Sequence, residues 1–212
     1  MQVDIIFGII VLIVSVILHE VAHGYMANWL GDPTARLQGR LTLNPVSHID
    51  PIGSLALPLL LLVMQSPMLI GYAKPVPYNP YNLRGRYGEG LVAFAGPGTN
   101  ILIALIFGLL VRFGGVAMPM ELIQAFVTVA YINLLLALFN LIPIPPLDGS
   151  KVLSSLFEAL HPSLARGYDA FRYNFERLGI LSGTLLILLV FYYLAPSFSG
   201  VLLGLLRLLT GI

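Results

Sequence analysis

The chain has 212 residues, room for one domain or at most two small ones, and it is 58% hydrophobic and 10% charged with mean hydropathy +0.89. Soluble domains carry about 25% charged residues, so the composition excludes a water-soluble globule. A formal net charge of +1 without any block of like charges excludes a nucleic-acid partner. The absence of cysteine excludes disulfides and thiolate metal sites, so a metal here must be held by histidine and carboxylate.

Apolar stretches recur along the chain. Residues 5–30 form the first; they lack a basic leader and a small-residue cleavage site, so they are expected to stay as a membrane helix rather than act as a signal peptide. Residues 54–70 form the second, short for a crossing and carrying Pro58 and Pro67. Residues 91–113, with "AGPGTN" inside, form the third, residues 122–142 the fourth and residues 180–194 the fifth. Residues 201–209, after Pro196, form a short sixth that spans, lies at the interface or packs on the fifth. Between these lie three polar segments. Residues 31–50 alternate apolar and polar around 35–43, which predicts a short hairpin or edge strand. Residues 71–90 are rich in Pro, Gly, Tyr and Asn and predict a loop. Residues 150–179 mix charges and predict a helix lying on the membrane surface.

The first stretch contains "ILHEVAHGYMANWL". His19 and His23 are four apart, so on a helix they stand one turn above the other on one face. Two neutral imidazoles so placed hold a zinc ion, and Glu20 between them is the general base of an HExxH pattern. The plain alternative is a set of polar groups satisfied by neighbouring helices, but ionisable residues inside a membrane are functional by default. Catalytic zinc takes three protein ligands. Asp4 is on the same helix and too far away. Asp148, in "NLIPIPPLDGS" at the end of the fourth stretch, is the third candidate. Pro143, Pro145 and Pro146 must break that helix, and irregular backbone at membrane depth is tolerated only against protein or a wet cavity. Asp-Gly is also a common helix-terminal turn; beside a two-histidine site short of a ligand, metal binding is the stronger reading.

"HEVAH", then "AGPGTN", then "NLIPIPPLDG", in this order over residues 5–160, resemble the site-2 protease family of intramembrane zinc metalloproteases. The resemblance implies one zinc ion held by His19, His23 and Asp148, with Glu20 activating a water. It implies that Asn140 sits beside the zinc and helps to hold the substrate or the developing oxyanion. It implies a transmembrane protein as substrate, cleaved within the lipid bilayer. Family members often carry a PDZ or CBS domain; this sequence has room for neither and resembles the minimal form.

The fold expected is an all-α polytopic membrane protein: a three-helix catalytic core with a re-entrant segment, a small β-hairpin and C-terminal helices. Residues 1–160 are expected to form the core, and residues 161–212 a surface helix and transmembrane helices. For His19, His23 and Asp148 to meet, stretches one and four must run the same way and stretch three the other. Residues 54–70 must then re-enter rather than cross. With that parity nine of the eleven basic residues share the side of the candidate site; Arg112 is opposite and Arg207 undecided. The positive-inside pattern predicts a multi-pass cell-membrane protein with the site toward the cytoplasm.

Lesser candidates are His48 and Asp50 as a second layer or entrance, Pro97 and Asn100 as close contacts near the site, and Gly96 and Gly98 as helix-packing positions. Tyr72, Tyr78 and Trp29 are expected as interface anchors. Residues 35–43 are a candidate edge for an unwound substrate strand, or a plain surface hairpin. The competing functional class is a non-catalytic membrane metal-binding or transport protein, which has no use for Glu20.

Overall fold

The structure is a computed structural model, and it describes residues 2–50, 74–177, 193 and 197–212. The expected re-entrant element at 54–70, the fifth stretch at 180–194 and Tyr72 lie outside the described residues.

Among the described residues, three helices are long and apolar enough to cross a membrane. They are α1 (Gln2–Trp29), α3 (Gly88–Gly114) and α4 (Met120–Asn140), with the short α2 (Thr34–Leu37) between the first two. The Ile and Val run of α1 has no particular liking for a helix in water, but in lipid only a helix satisfies its own backbone. Ile5, Ile6, Ile9, Ile10, Leu12, Ile13 and Val14 stay exposed on it, as a lipid-facing surface requires. The opposite stripe is buried at every fourth residue: Val11, Ser15, His19, His23 and Ala27. Four residues is close to one helical turn, so this stripe faces its neighbours along the whole helix.

That stripe packs on α3, whose buried face is built from small residues: Gly90, Ala93, Gly96, Pro97, Asn100, Ala104 and Gly108. Small residues let membrane helices approach closely, and Pro97 is accommodated inside α3 without ending it. Asn100 meets both Ser15 and His19 of α1, while Val92 meets His23, so α1 and α3 are antiparallel. Asn100 also meets Asn133 of α4, and Phe107 meets Phe126, so α3 and α4 are antiparallel too. Helices α1 and α4 therefore run the same way, as the convergence of the candidate ligands requires.

Helix α4 ends at Asn140, and the three prolines prevent its continuation. The turn 141–147 leads into α5 (Asp148–Leu160), followed by α6 (Pro162–Arg177). The single mixed-charge helix expected over 150–179 is thus two, broken at His161–Pro162. Helix α6 docks back through Tyr168, whose hydroxyl donates to the Pro143 carbonyl at 2.7 Å, and through Arg172, paired with Glu89 at 3.2 Å. A last apolar helix, α7 (Ser197–Thr210), packs on α3 and α4 around Ala104, Leu134 and Leu202. Its end lies by Gly108, and the Leu208 carbonyl accepts from Arg112, so Arg207 belongs with Arg112 at the far end of the bundle.

The expected hairpin is corrected. Among the described residues there are no strands. Residues 34–37 form the turn α2, and Gly39, at φ +65°, closes it by letting the Arg40 amide reach the Ala35 carbonyl at 2.9 Å. Ala35 and Arg40 are buried together while Leu37 is exposed. The alternation of apolar residues reflects this compact turn, and no strand edge is offered at 35–43.

Candidate metal centre

Helix α1 brings His19 and His23 to one level of the bundle, and the proline-broken end of α4 turns Asp148 back toward them. His19 Nε2 and His23 Nε2 are 3.1 Å apart, and Asp148 Oδ2 lies 3.1 Å from the first and 3.3 Å from the second. These three are a group of residues able to hold a metal ion. Gly149 makes the approach possible: a Cβ there would stand 2.2 Å from the Leu141 carbonyl oxygen, so only glycine lets α5 start against the end of α4.

The donor chemistry fits a zinc ion. His19 Nδ1 faces Asn100 Oδ1 at 2.6 Å, and His23 Nδ1 faces the Val92 carbonyl at 2.7 Å. Both partners accept only, so each neutral ring carries its hydrogen on Nδ1 and presents a bare lone pair at Nε2. Two lone pairs and a carboxylate oxygen then face one another in a small triangle, an arrangement that repels itself without a cation at its centre. Tetrahedral bonds of about 2.0–2.1 Å place zinc ligands about 3.3 Å apart, close to the observed edges. Both imidazoles also donate outward from Nδ1, the usual support for a ligating histidine.

The three candidate ligands and the two candidate catalytic residues line one cleft of about 190 Å³: His19, Glu20, His23, Asn140 and Asp148. Within the cleft Asn140 is hydrogen-bonded along its own helix, its Nδ2 donating to the Leu136 carbonyl at 2.9 Å. Glu20 is held from across the cleft, its Oε2 accepting from the Val76 amide at 2.9 Å. Val76 lies between Pro75 and Pro77 and is the one residue of that trio with an amide hydrogen. The buried Arg40 donates to the Lys74 and Pro75 carbonyls at 2.9 and 3.3 Å, and the Lys74 backbone amide donates to the His48 carbonyl at 2.9 Å. The sequence showed residues 71–90 only as loop; their part in the cleft rests on a backbone amide, which has no side-chain signature.

Tyr78 is corrected from interface anchor to cleft wall. Its hydroxyl accepts from Lys151 Nζ at 3.0 Å, and both residues line the cleft. Burial alone would push the Lys151 pKa down, but Tyr78 and the carboxylates of Glu89 and Asp148 outweigh it and hold the ammonium above its ordinary value. Trp29 is exposed near the end of α1, where an anchor belongs. His48 and Asp50 do not line the cleft. His48 is buried in the turn Pro45–His48, where its Nε2 donates to the Thr42 carbonyl at 2.9 Å. Gly96 does more than bring two helices close: it lies directly against the two imidazoles, and Asn100 lies against that of His19. Ser15 and Asn133 join the buried polar set and were not singled out in the sequence, although an Asn in the middle of an apolar span is a signal in itself.

The segment over the cleft is anchored by Asp32, just beyond α1. The buried Asp32 carboxylate accepts from the Thr34 hydroxyl at 2.6 Å and amide at 3.3 Å, from Asn82 Nδ2 at 2.9 Å and from the Asn79 amide at 2.7 Å. Burial pushes its pKa up, but these four hydrogen bonds outweigh it and hold it below the usual carboxylate value. A lowered folded-state pKa stabilises above the unfolded value of about 3.9 and loses that contribution as pH falls through the folded one. The Asp32→Asn variant should therefore melt well below the parent at neutral pH, and the gap should close as pH drops below about 4. Thermal unfolding in detergent at several pH values measures this; a gap that is constant with pH contradicts it.

Comparison with known proteins agrees with the geometry. The profile of peptidase family M50 matches residues 113–181. A Bacillus subtilis protein named as a zinc metalloprotease, YwhC, is 43% identical over 158 residues, covering 70% of this chain and 68% of its own. Two mycobacterial proteins named as zinc metalloproteases Rip2 are each 30% identical. That of Mycolicibacterium smegmatis aligns over 69% of this chain and 57% of its own, and that of Mycobacterium tuberculosis over 89% and 66%. The chain thus spans about two thirds or less of the length of these relatives. No solved structure matches it significantly. On the identity and coverage of the first of these relatives, the chain belongs to peptidase family M50 and is a zinc metalloprotease.

Proposed function

We propose that this protein is an intramembrane metalloendopeptidase that cleaves transmembrane segments of protein substrates, with a single zinc held by His19, His23 and Asp148. The observation that carries the reading is the triangle of Nε2, Nε2 and Oδ2 atoms with edges of 3.1–3.3 Å, built on a helix long and apolar enough to span. Zinc at such a site polarises a scissile carbonyl and brings the pKa of water down to about 7.

The chain's own residues do the rest. Glu20 takes the proton of the attacking water and passes it to the leaving amine. The Val76 amide orients that carboxylate through Oε2, leaving Oε1 for the water. Asn140 has a second amide hydrogen beyond the one given to Leu136, and this donates to the developing oxyanion. A substrate helix must unwind at the cleft, because a helix hides its carbonyls in its own hydrogen bonds.

The basic residues support a cytoplasmic cleft. Lys74, Arg84, Arg86, Lys151 and Arg172 all belong to segments at the cleft end of the bundle, whereas Arg112 and Arg207 lie at the far end. Incubation of the purified chain in proteoliposomes with a single-span substrate and with a soluble unfolded polypeptide tests the proposal. We expect cleavage within the membrane-embedded residues of the first, abolished by a zinc chelator. Cleavage confined to the soluble polypeptide contradicts it.

A further inference from the structure

The buried polar stripe of the bundle continues beyond the imidazoles, and its hydrogen bonds have only one consistent direction. The Val129 carbonyl can only accept, so the Asn133 atom 2.9 Å from it is Nδ2, which also donates to Ser15 Oγ at 2.9 Å. That leaves Asn133 Oδ1 facing Asn100, which must answer with its own Nδ2 at 2.8 Å. The same Asn100 amide reaches the Ser15 carbonyl at 3.5 Å. Asn100 Oδ1 is therefore the atom left for His19 Nδ1, at 2.6 Å. Ser15, His19, Asn100 and Asn133 are all buried, with Asn100 and Asn133 at 0% exposure. In such surroundings a reversed amide would set like atoms against each other, and an unsatisfied buried polar group is costly.

We propose that Asn133 is a positioning residue of the metal centre: acting through Asn100, it fixes His19 in the Nδ1–H tautomer and keeps the Nε2 lone pair for the metal. This rests on the assignment of His19 as a zinc ligand. Asn133 itself does not line the cleft. Without its oxygen, only the long 3.5 Å contact to the Ser15 carbonyl still holds the Asn100 amide against turning over. Asn100 Nδ2 then faces His19 Nδ1, which must accept, and the ring hydrogen moves to Nε2, where it blocks coordination. His23 needs no such chain, because a backbone carbonyl, that of Val92, sets its direction outright. The two imidazoles thus differ: one is set by the backbone of α3, the other by an amide on α4.

The chain has four histidines, so ring nitrogen shifts of the 15N-histidine-labelled, metal-free protein in detergent, at mildly alkaline pH, resolve the tautomer of each. Zinc affinity is measured alongside by competition with a chelator. We expect the His19 hydrogen on Nδ1 in the parent. In Asn133→Leu it should move to Nε2, and zinc affinity should fall roughly 10–100-fold, the usual loss for an outer partner of a ligating histidine. Adding Asn100→Asp to Asn133→Leu should restore both, because a carboxylate accepts from His19 through either oxygen and has no wrong way round. A purely structural role for Asn133 gives no such rescue. A parent protein with the His19 hydrogen on Nε2 overturns the proposal whether or not any variant folds. So does Asn133→Leu with unchanged tautomer and affinity. A parent chain that binds no zinc defeats the ligand assignment instead, while its tautomer still reports on Asn133.

Discussion

Gly96→Ala should cost the protein its metal and its activity together, although it adds one methyl group to a helix. A Cβ at Gly96 would stand 2.4 Å from His23 Nε2 and 2.6 Å from His19 Nε2. Neither ring has a simple retreat. The two stand edge to face with centroids 4.7 Å apart, and each is tied at Nδ1, to Asn100 or to the Val92 carbonyl. Moving the rings breaks those bonds; moving the helices apart breaks the small-residue contact along Ala93, Pro97 and Asn100. Either response spoils the donor triangle itself, so zinc affinity should fall by more than the roughly 10–100-fold that outer partners contribute. Gly98→Ala is the control. Its added Cβ would meet only the Phe94 ring of the same helix, at 3.3 Å, and it should leave zinc binding intact. Chelator competition on both variants measures the effect; full zinc affinity in Gly96→Ala contradicts the packing.

Glu20→Gln should separate chemistry from binding. Glu20 is not among the three donors, and its Oε2 accepts from the Val76 amide. A glutamine oxygen accepts from the same amide, so the cleft should keep its shape. What is lost is a group able to take a proton, which contributes about 10²–10⁴-fold to rate. The variant should bind zinc like the parent and cleave more slowly by about that factor. A metal carrier built on the same ligands would be indifferent to the change. Cleavage at the parent rate by the zinc-loaded variant removes Glu20 from the mechanism.

The parts of the site legible in the sequence are those in which a residue is out of place. Two histidines and a glutamate in a lipid-facing helix, and an aspartate after three prolines, are each costly unless used. Their convergence by itself requires the relative direction of α1, α3 and α4. The expected hairpin at 35–43 failed because alternation alone does not distinguish a strand from a turn closed by a left-handed glycine. Val76 was invisible because an amide hydrogen has no letter, although two flanking prolines marked it as the only donor there. Ser15 and Asn133 are 118 positions apart and acquire meaning only once the helices are placed. Tyr78 read as an anchor because its partner, Lys151, is 73 positions away.

The central claim is that two imidazoles from α1 and a carboxylate from the start of α5 share one ion. X-ray absorption at the zinc edge of the purified chain, together with its metal content, tests this most directly. The account predicts one zinc per chain, with two imidazole nitrogens and carboxylate oxygen at about 2.0–2.2 Å. A spectrum without imidazole scattering, or one unchanged in Asp148→Ala, contradicts it.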